Sequence, residues 1–466
     1  MSYQRAFRFF SALLIAIMVL SACAPAATQP PAAPAQTEAP QQPADTAAPE
    51  EAGTAKPSGK LTIWVQQANQ DVFEKTILPD FQAEYPDIEI EWVNYPPAEV
   101  ANQMTIAIQG GSGGPDLGIT ENASFAKLVE LDGLMDLTQR MEPYKDQMNQ
   151  PALVEGSKEG KIYTIPWDIG PVVTFYRRDI FEAAGLPTEP DEVTELLATW
   201  DDYLATCETI KEETGMLCFA LNKANNYGDV YLNMLWQQDL DLYSDDGEVL
   251  VDGPAYVETL NKLGEFWSSD VVSDELEWTD NWYAILNASM DDETVKPVAT
   301  IPIAAWMGNF LKTWVAADQS GNWGVAKMPA YTAGGTRAAN QGGSSAFIPA
   351  NSSNPEAAWA FVEFMFLRND NMIKLFEFSD YFPANAATYD DPLFQQPDDY
   401  FGGQATRLVY AEAANEIPVA NQYGPYSQTI RGTLATAVQK FAMGQMSAEE
   451  ALKEAADNIR TETGLR

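Results

Sequence analysis

The sequence predicts an α/β protein built on a doubly wound lobe. Three observations carry this. Strand-like runs alternate with helical stripes from residue 60 onward. Hydrophobic residues make up 46% of the chain, enough to build large cores. A length of 466 residues suffices for two to three domains.

KLTIWV at 60–65 reads as a short strand. Phe73, Ile77, Phe81 and Tyr85 then recur every fourth residue, the spacing of one helical face. Pro79 either interrupts that helix or starts a new one. IEIEWV at 88–93 alternates apolar and acidic residues, as a strand with one wet face does. A helix is expected over about 97–109, and the turn GGSGGPD at 110–116 leads into the apolar strand LGIT. Further along, an apolar run near 171–176 precedes a helix ending at Gly185. Asn354, Pro355 and Glu356 give an N-cap and a proline at the first helical position, ahead of a buried helix. Ile430, Leu434, Val438 and Phe441 form one helical stripe, and Ser447 with Glu450 forms a capping box opening the last helix.

The beginning of the chain has a different character. Arg5 and Arg8 precede an apolar run from Phe9 to Leu20, which suits a signal peptide over residues 1–22 better than a membrane span. The run ends in Leu20-Ser21-Ala22-Cys23, which resembles the bacterial lipobox, and that resemblance implies an acylated Cys23. Residues 24–58 contain eight prolines and twelve alanines and cannot build a core. With Cys23 they form an extended tether over 23–58, between a membrane and a folded body.

Composition excludes several chemistries. There are 27 Lys and Arg against 67 Asp and Glu, a formal charge of −40, so phosphate backbones and anionic lipid surfaces are repelled. The chain has no histidine, which removes Ser-His-Asp and Cys-His catalysis and His-ligated zinc. Carboxylate chemistry, notably that of glycosidases, stays open. GGSGGPD lacks both the P-loop ending and the dinucleotide-site spacing, so a turn is expected there. DDGEVLVDG at 245–253 lacks EF-hand spacing, and a hairpin turn is expected. Cys207 and Cys218 are eleven apart, and a disulfide and two buried thiols are both open. No cofactor or metal is expected.

The aromatic residues point to a ligand. Trp167, Trp236, Trp282 and Trp306 each sit beside polar or turn residues, as do Tyr381 and Tyr426. Flat rings stack on the C–H faces of sugars while Asp, Glu, Asn and Gln bond the hydroxyls, the mixture a small-molecule cleft needs.

In order and spacing, several segments together resemble family 1 extracellular solute-binding proteins of ABC importers, the family containing maltose-binding protein. They are FQAEYPDIEIEWV, GGPDLGITENASFAKLVELDGLMDLT, YTIPWDIGPVVTFYRRDIFEAAGLP, AAWMGNFLKTW, GGSSAFIPANSSNPEAAWAFVEFM, YFGGQ and NEIPVANQYGPYSQTIRGTL. YFGGQ (400–404) and EIPV (416–419) look most like the lactose- and arabinose-type oligosaccharide branch. The resemblance implies a two-lobed periplasmic-binding-protein fold with an interlobe ligand cleft and three hinge crossings. Lobe one would hold 59–168 and 323–372, and lobe two 169–322 and 373–466. It implies capture of a neutral di- or oligosaccharide by lobe closure, with no enzymatic step, by a monomer that delivers to permease subunits served by a separate ATPase. The implied ligand-binding residues are Glu121 and Asn122 after Thr120, Trp167 and Asp168 at the first crossing, Trp306, the turn Gly343-Ser344, and Tyr426 with Arg431. Ser427 falls near the position of a tryptophan in maltose-binding protein, so full maltodextrin specificity is not implied. Trp167, Trp236 and Trp306 are expected as stacking platforms, Trp282 and Tyr381 as further ligand-binding aromatics, and Glu121 and Asp168 as hydroxyl acceptors. Two other readings stand beside this one, a surface glycosidase and a binder of a polyol phosphate or peptide.

Overall fold

The computed structural model describes residues 56–96, 99–224, 229–244, 246–419 and 424–466. Signal peptide, Cys23 and nearly all of the 23–58 tether lie outside the described residues. Residues Lys56–Arg466 form one compact unit.

Nine of the eleven strands among the described residues form its two main sheets: β1 (Gly59–Val65), β2 (Ile88–Asn94), β3 (Leu117–Glu121), β4 (Ile165–Ile169), β5 (Val172–Arg177), β6 (Thr300–Ala304), β7 (Trp323–Lys327), β8 (Ser344–Phe347) and β9 (Phe382–Pro383). The first sheet has the order β9-β4-β8-β3-β1-β2. In it β1 runs parallel to β2 and β3, as the βαβαβ reading requires, while β8 runs antiparallel to both β3 and β4. The second sheet is antiparallel, with β5 between β6 and β7. Strand β1 buries Leu61, Ile63 and Val65 completely on one face. The largest core cluster runs from these residues to Val173 and Phe175 of β5, and so spans both sheets.

Local chemistry sets the element ends. Pro79 opens a new helix, Leu78–Glu84, after Gln67–Lys75 has closed. It occupies the first turn, where its missing N–H costs nothing. Asn354 caps Pro355–Val362 by accepting from the Ala357 N–H, and Ser447 with Glu450 makes the reciprocal capping box of Ala448–Thr463. The GGSGGPD turn ends in Asp116, whose carboxylate accepts from the backbone N–H groups of Thr62, Ser353 and Asn354 at 2.9–3.0 Å. The motif therefore binds the sheet together, not a phosphate. The 245–253 hairpin closes through an antiparallel bridge between Tyr243 and Val249. Cys207 and Cys218 are joined in a disulfide, both fully buried, which ties the helix Trp200–Thr214 to the segment that follows it.

Two short strands depart from the lobe bounds implied by the resemblance. Residues 323–327 pair with β5 and so belong to the second sheet, and 382–383 pair with β4 and so belong to the first. The backbone hydrogen bonds of edge strands have to be completed by whichever sheet lies alongside, and segments close to a crossing can meet either one.

The passage between sheets is tightly built. Strand β4 reaches β5 through Gly170-Pro171 alone. The returning chain at 339–341 lies against it: the Val172 N–H donates to the Ala339 carbonyl (3.0 Å), the Gln341 N–H to the Gly170 carbonyl (2.8 Å), and the Gly170 N–H to Asn340 Oδ1 (2.9 Å). A Cβ built on Gly170 would stand 1.9 Å from the Gln341 carbonyl oxygen, so only glycine lets the two crossings touch.

Candidate functional site

The carboxyl ends of β3 and β4 and the start of β8 meet at one end of the first sheet. Ser344 stands opposite both Glu121 and Asp168 in register. Gln66 follows the carboxyl end of β1 and donates to Glu121 Oε1 at 3.3 Å. In open α/β sheets the crevice outside the carboxyl ends of the strands is where ligands bind. Gly343 has φ +98°, and a Cβ there would lie 2.9 Å from the Asp168 carbonyl oxygen, so the turn depends on glycine.

Asp168 is buried, and its Oδ1 accepts no hydrogen bond among the described residues. Burial pushes its carboxyl up to about 7, against the lowering effect of hydrogen bonds from Ser344, and the Glu121 charge adds to the rise. Tyr381 faces both acids, and burial together with their charges raises its phenol to about 12.

On the other side of the crossings, the Ala305 N–H donates to the Pro171 carbonyl at 3.0 Å and so places Trp306 beside the turn. The Trp306 indole N–H donates to the Gln341 carbonyl at 3.1 Å. Gln341 Nε2 donates to Asp229 Oδ2 (3.1 Å), and Asp229 pairs with Arg431 (2.7 Å). Gln341 Oε1 is a second buried acceptor without a donor among the described residues. Glu277 completes the group. Burial and the charge of Asp229 raise its carboxyl to about 8.

The structure thus brings together Glu121, Asp168, Gly343, Ser344, Tyr381, Trp306 and Arg431 from the residues expected by sequence. It treats others differently. Trp167, Trp236 and Trp282 are each only 1% exposed, so their rings have no free face to offer. Trp167 packs among Phe73, Phe366 and Tyr381, Trp236 lies under the Arg431 guanidinium, and Trp282 abuts Trp278 and Tyr283. A large apolar ring gains most from complete burial, and a polar neighbour in sequence does not change that. Asn122 is also committed: its Nδ2 donates to Glu155 (3.0 Å) and its Oδ1 accepts from Ser345 (2.9 Å), all three buried. Tyr426 packs edge-on against Tyr243. The residues missed from sequence are Gln66, Asp229, Glu277, Trp278 and Gln341. Gln341 and Gln66 carried a usable signal, since one directly precedes a double glycine and the other directly follows a strand. Asp229 and Glu277 carried none among 67 acids.

Four carboxyls are raised by burial, Glu155 and Glu277 to about 8, Asp168 to about 7, and Asp229 above its ordinary value, and they make stability depend on pH. An unfolded Glu155 would release its proton near its ordinary 4.5, while the native protein keeps it until about 8. Between those values the native state binds more protons, so stability falls as pH rises. Melting temperature is expected to drop from pH 5 to pH 8, and Glu155→Gln is expected to flatten that slope. A melt series at fixed ionic strength measures both.

This geometry, two α/β sheets joined by touching crossings with polar groups gathered at their junction, defines a two-lobed binding protein. Residues 64–368 match the family described as Bacterial extracellular solute-binding protein, and the chain belongs to that family. It is therefore a solute-binding protein that works outside the cytoplasm, not an enzyme. It is 25% identical over 401 residues to an arabinooligosaccharide-binding protein of Halalkalibacterium halodurans, covering 84% of this chain and 86% of that one. It is 24% identical over 384 residues to a lactose-binding protein of Rhizobium radiobacter, with coverage of 81% and 87%. Its fold matches an ABC transporter associated binding protein from B. animalis subsp. lactis, solved in complex with β-1,6-galactobiose. The TM-score is 0.70 at 22% identity, over 88% of this chain and 99% of that one. Among the described residues no helix is long and apolar enough to cross a membrane.

Proposed function

We propose that the protein captures a neutral di- or oligosaccharide between its lobes and delivers it to the permease of an ABC importer driven by a separate ATPase. One observation carries this reading: Asp168 Oδ1 and Gln341 Oε1 are buried acceptors awaiting donors, and half-exposed Trp306 stands beside Gln341. Sugar hydroxyls supply such donors, and a ring face supplies the stack. The cation at the site, Arg431, is already paired with Asp229. A phosphate or other anion would meet repulsion here, which disfavours the polyol phosphate reading. Relatives whose names specify arabino-oligosaccharides and lactose support the same class.

In this reading the ligand touches both lobes only when they close, and so shifts the population to the closed form. Lobe one is drawn as 59–168 with 323–372 and lobe two as 169–322 with 373–466, with β7 and β9 exchanged as described. Residues 1–22 serve as the signal peptide. An acylated Cys23 holds a monomer to the membrane through the 23–58 tether.

Isothermal calorimetry of the purified protein against arabino-oligosaccharides, lactose, β-galactobiose and maltose tests the reading, with glycerol phosphates and peptides as controls. Heat from one sugar class supports it. Silence from every sugar with heat from a phosphate or peptide overturns it. Trp306→Ala is expected to cost more than about 1 kcal/mol of affinity for the sugar that binds, because stacking and burial are both lost.

A further inference from the structure

We infer that the binding surface continues beyond the lobe junction along an exposed aromatic ladder, Trp306–Trp278–Phe310–Trp314, and that the ligand is an oligosaccharide chain long enough to lie on it. The inference rests on the carbohydrate reading and adds a chain-length preference to it.

Trp306, Phe310 and Trp314 recur every fourth residue on one helical face. Their rings follow one another in steps of 5.7 Å. Trp278 joins from the side, 5.6 Å from Trp306 and 6.5 Å from Phe310, and Tyr283 lies 4.8 Å from Trp314 at the outer end. The inner end is fixed at the crossing by the Trp306 indole bond to Gln341. Toward the outside the rings become accessible: Trp278 is 40% exposed and Trp314 54%. Rings that served only as core would be sealed, as Trp167, Trp236 and Trp282 are.

Two backbone features accompany these rings. Trp278 has φ +67°, a left-handed conformation that costs energy for a bulky residue and persists only where the surroundings impose it. The helix carrying Phe310 widens into a π-turn over Leu311–Val315, which includes Trp314. Such turns concentrate at functional sites. Exposed aromatic area of this kind marks a surface that binds something. Continuity with Trp306, and the carboxyl of Glu277 directly before Trp278, fit a polyhydroxylated chain with apolar ring faces.

The test is calorimetry with arabino-oligosaccharides of two to six units, with β-galacto- and malto-oligosaccharide series in parallel, on the wild-type protein, Trp314→Ala and Trp314→Phe. Affinity of the wild type is expected to climb about tenfold between two units and the longer chains. Trp314→Ala should abolish that gain and leave two-unit binding unchanged, while Trp314→Phe should keep most of it. Equal affinity for all lengths overturns the inference but not the carbohydrate reading. Equal loss at every length in Trp314→Ala overturns it too. Unchanged binding with lost uptake in cells would make the ladder a permease contact and overturn it. Silence from all three series overturns the carbohydrate reading and the inference together.

Discussion

Gly170→Ala is expected to lower the unfolding free energy by about 3 kcal/mol, toward the upper end of what overpacking costs, and to weaken ligand binding with it. The added methyl would meet backbone, not a side chain: the Gln341 carbonyl oxygen at 1.9 Å and its carbon at 2.7 Å. A flexible side chain could swing aside, but the 341 peptide cannot, because its N–H is bonded to the Gly170 carbonyl and its carbonyl to the Trp306 indole. The two crossings must separate, which stretches the bonds at Val172 and Asn340 as well. Gln341 and Trp306 then shift together, so the site is altered by a residue that touches no ligand. Thermal or denaturant unfolding gives the first quantity and calorimetry the second. A variant of wild-type stability would show that the crossings separate at little cost.

Asp168→Ala is expected to reduce sugar affinity by about 2–3 kcal/mol, on the order of a hundredfold, the scale of a hydrogen bond to a charged or strongly polar acceptor. The loss should exceed that of Asp168→Asn, whose amide keeps one acceptor oxygen at the same place. Removal of the carboxyl also takes away an acid held near 7 by burial, so affinity in the variant should depend less on pH between 6 and 8. A pH titration of affinity for both variants separates this effect from a loss of folding. Retention of full affinity in Asp168→Ala would remove this acceptor from the site.

The parallel half of the first sheet was legible because its signals are local. Leu61, Ile63 and Val65 alternate inward, and Asn354-Pro355 and Ser447-Glu450 carry cap chemistry within a few residues. The second sheet was less visible. Strand β6 contains Pro302, and its partners lie more than a hundred residues away in β5, so no short-range pattern announces it. The same limit governs the site. Glu121 follows the apolar strand LGIT that the pattern locates, whereas Asp168 and Gly343-Ser344 are implied only by the family resemblance, and the structure brings them together. Whether a tryptophan seals a core or faces solvent depends on distant packing partners. Trp167 was thus misread as a platform, because Phe73 and Phe366 cover it. Trp278, whose ring is exposed, went unnoticed for the same reason. Its positive φ is imposed by the surrounding fold and has no counterpart in the residue type.

The disulfide between Cys207 and Cys218 also dates the moment at which the fold is completed. Cytoplasmic thiols are kept reduced, and a cross-link across eleven residues adds about 3 kcal/mol, chiefly by limiting the unfolded chain. For a protein that works outside the cell membrane, that increment arrives only after passage through it. The newly made chain is therefore looser while its thiols are reduced and tighter once it has left the cytoplasm. One covalent bond gives a single sequence both states in succession.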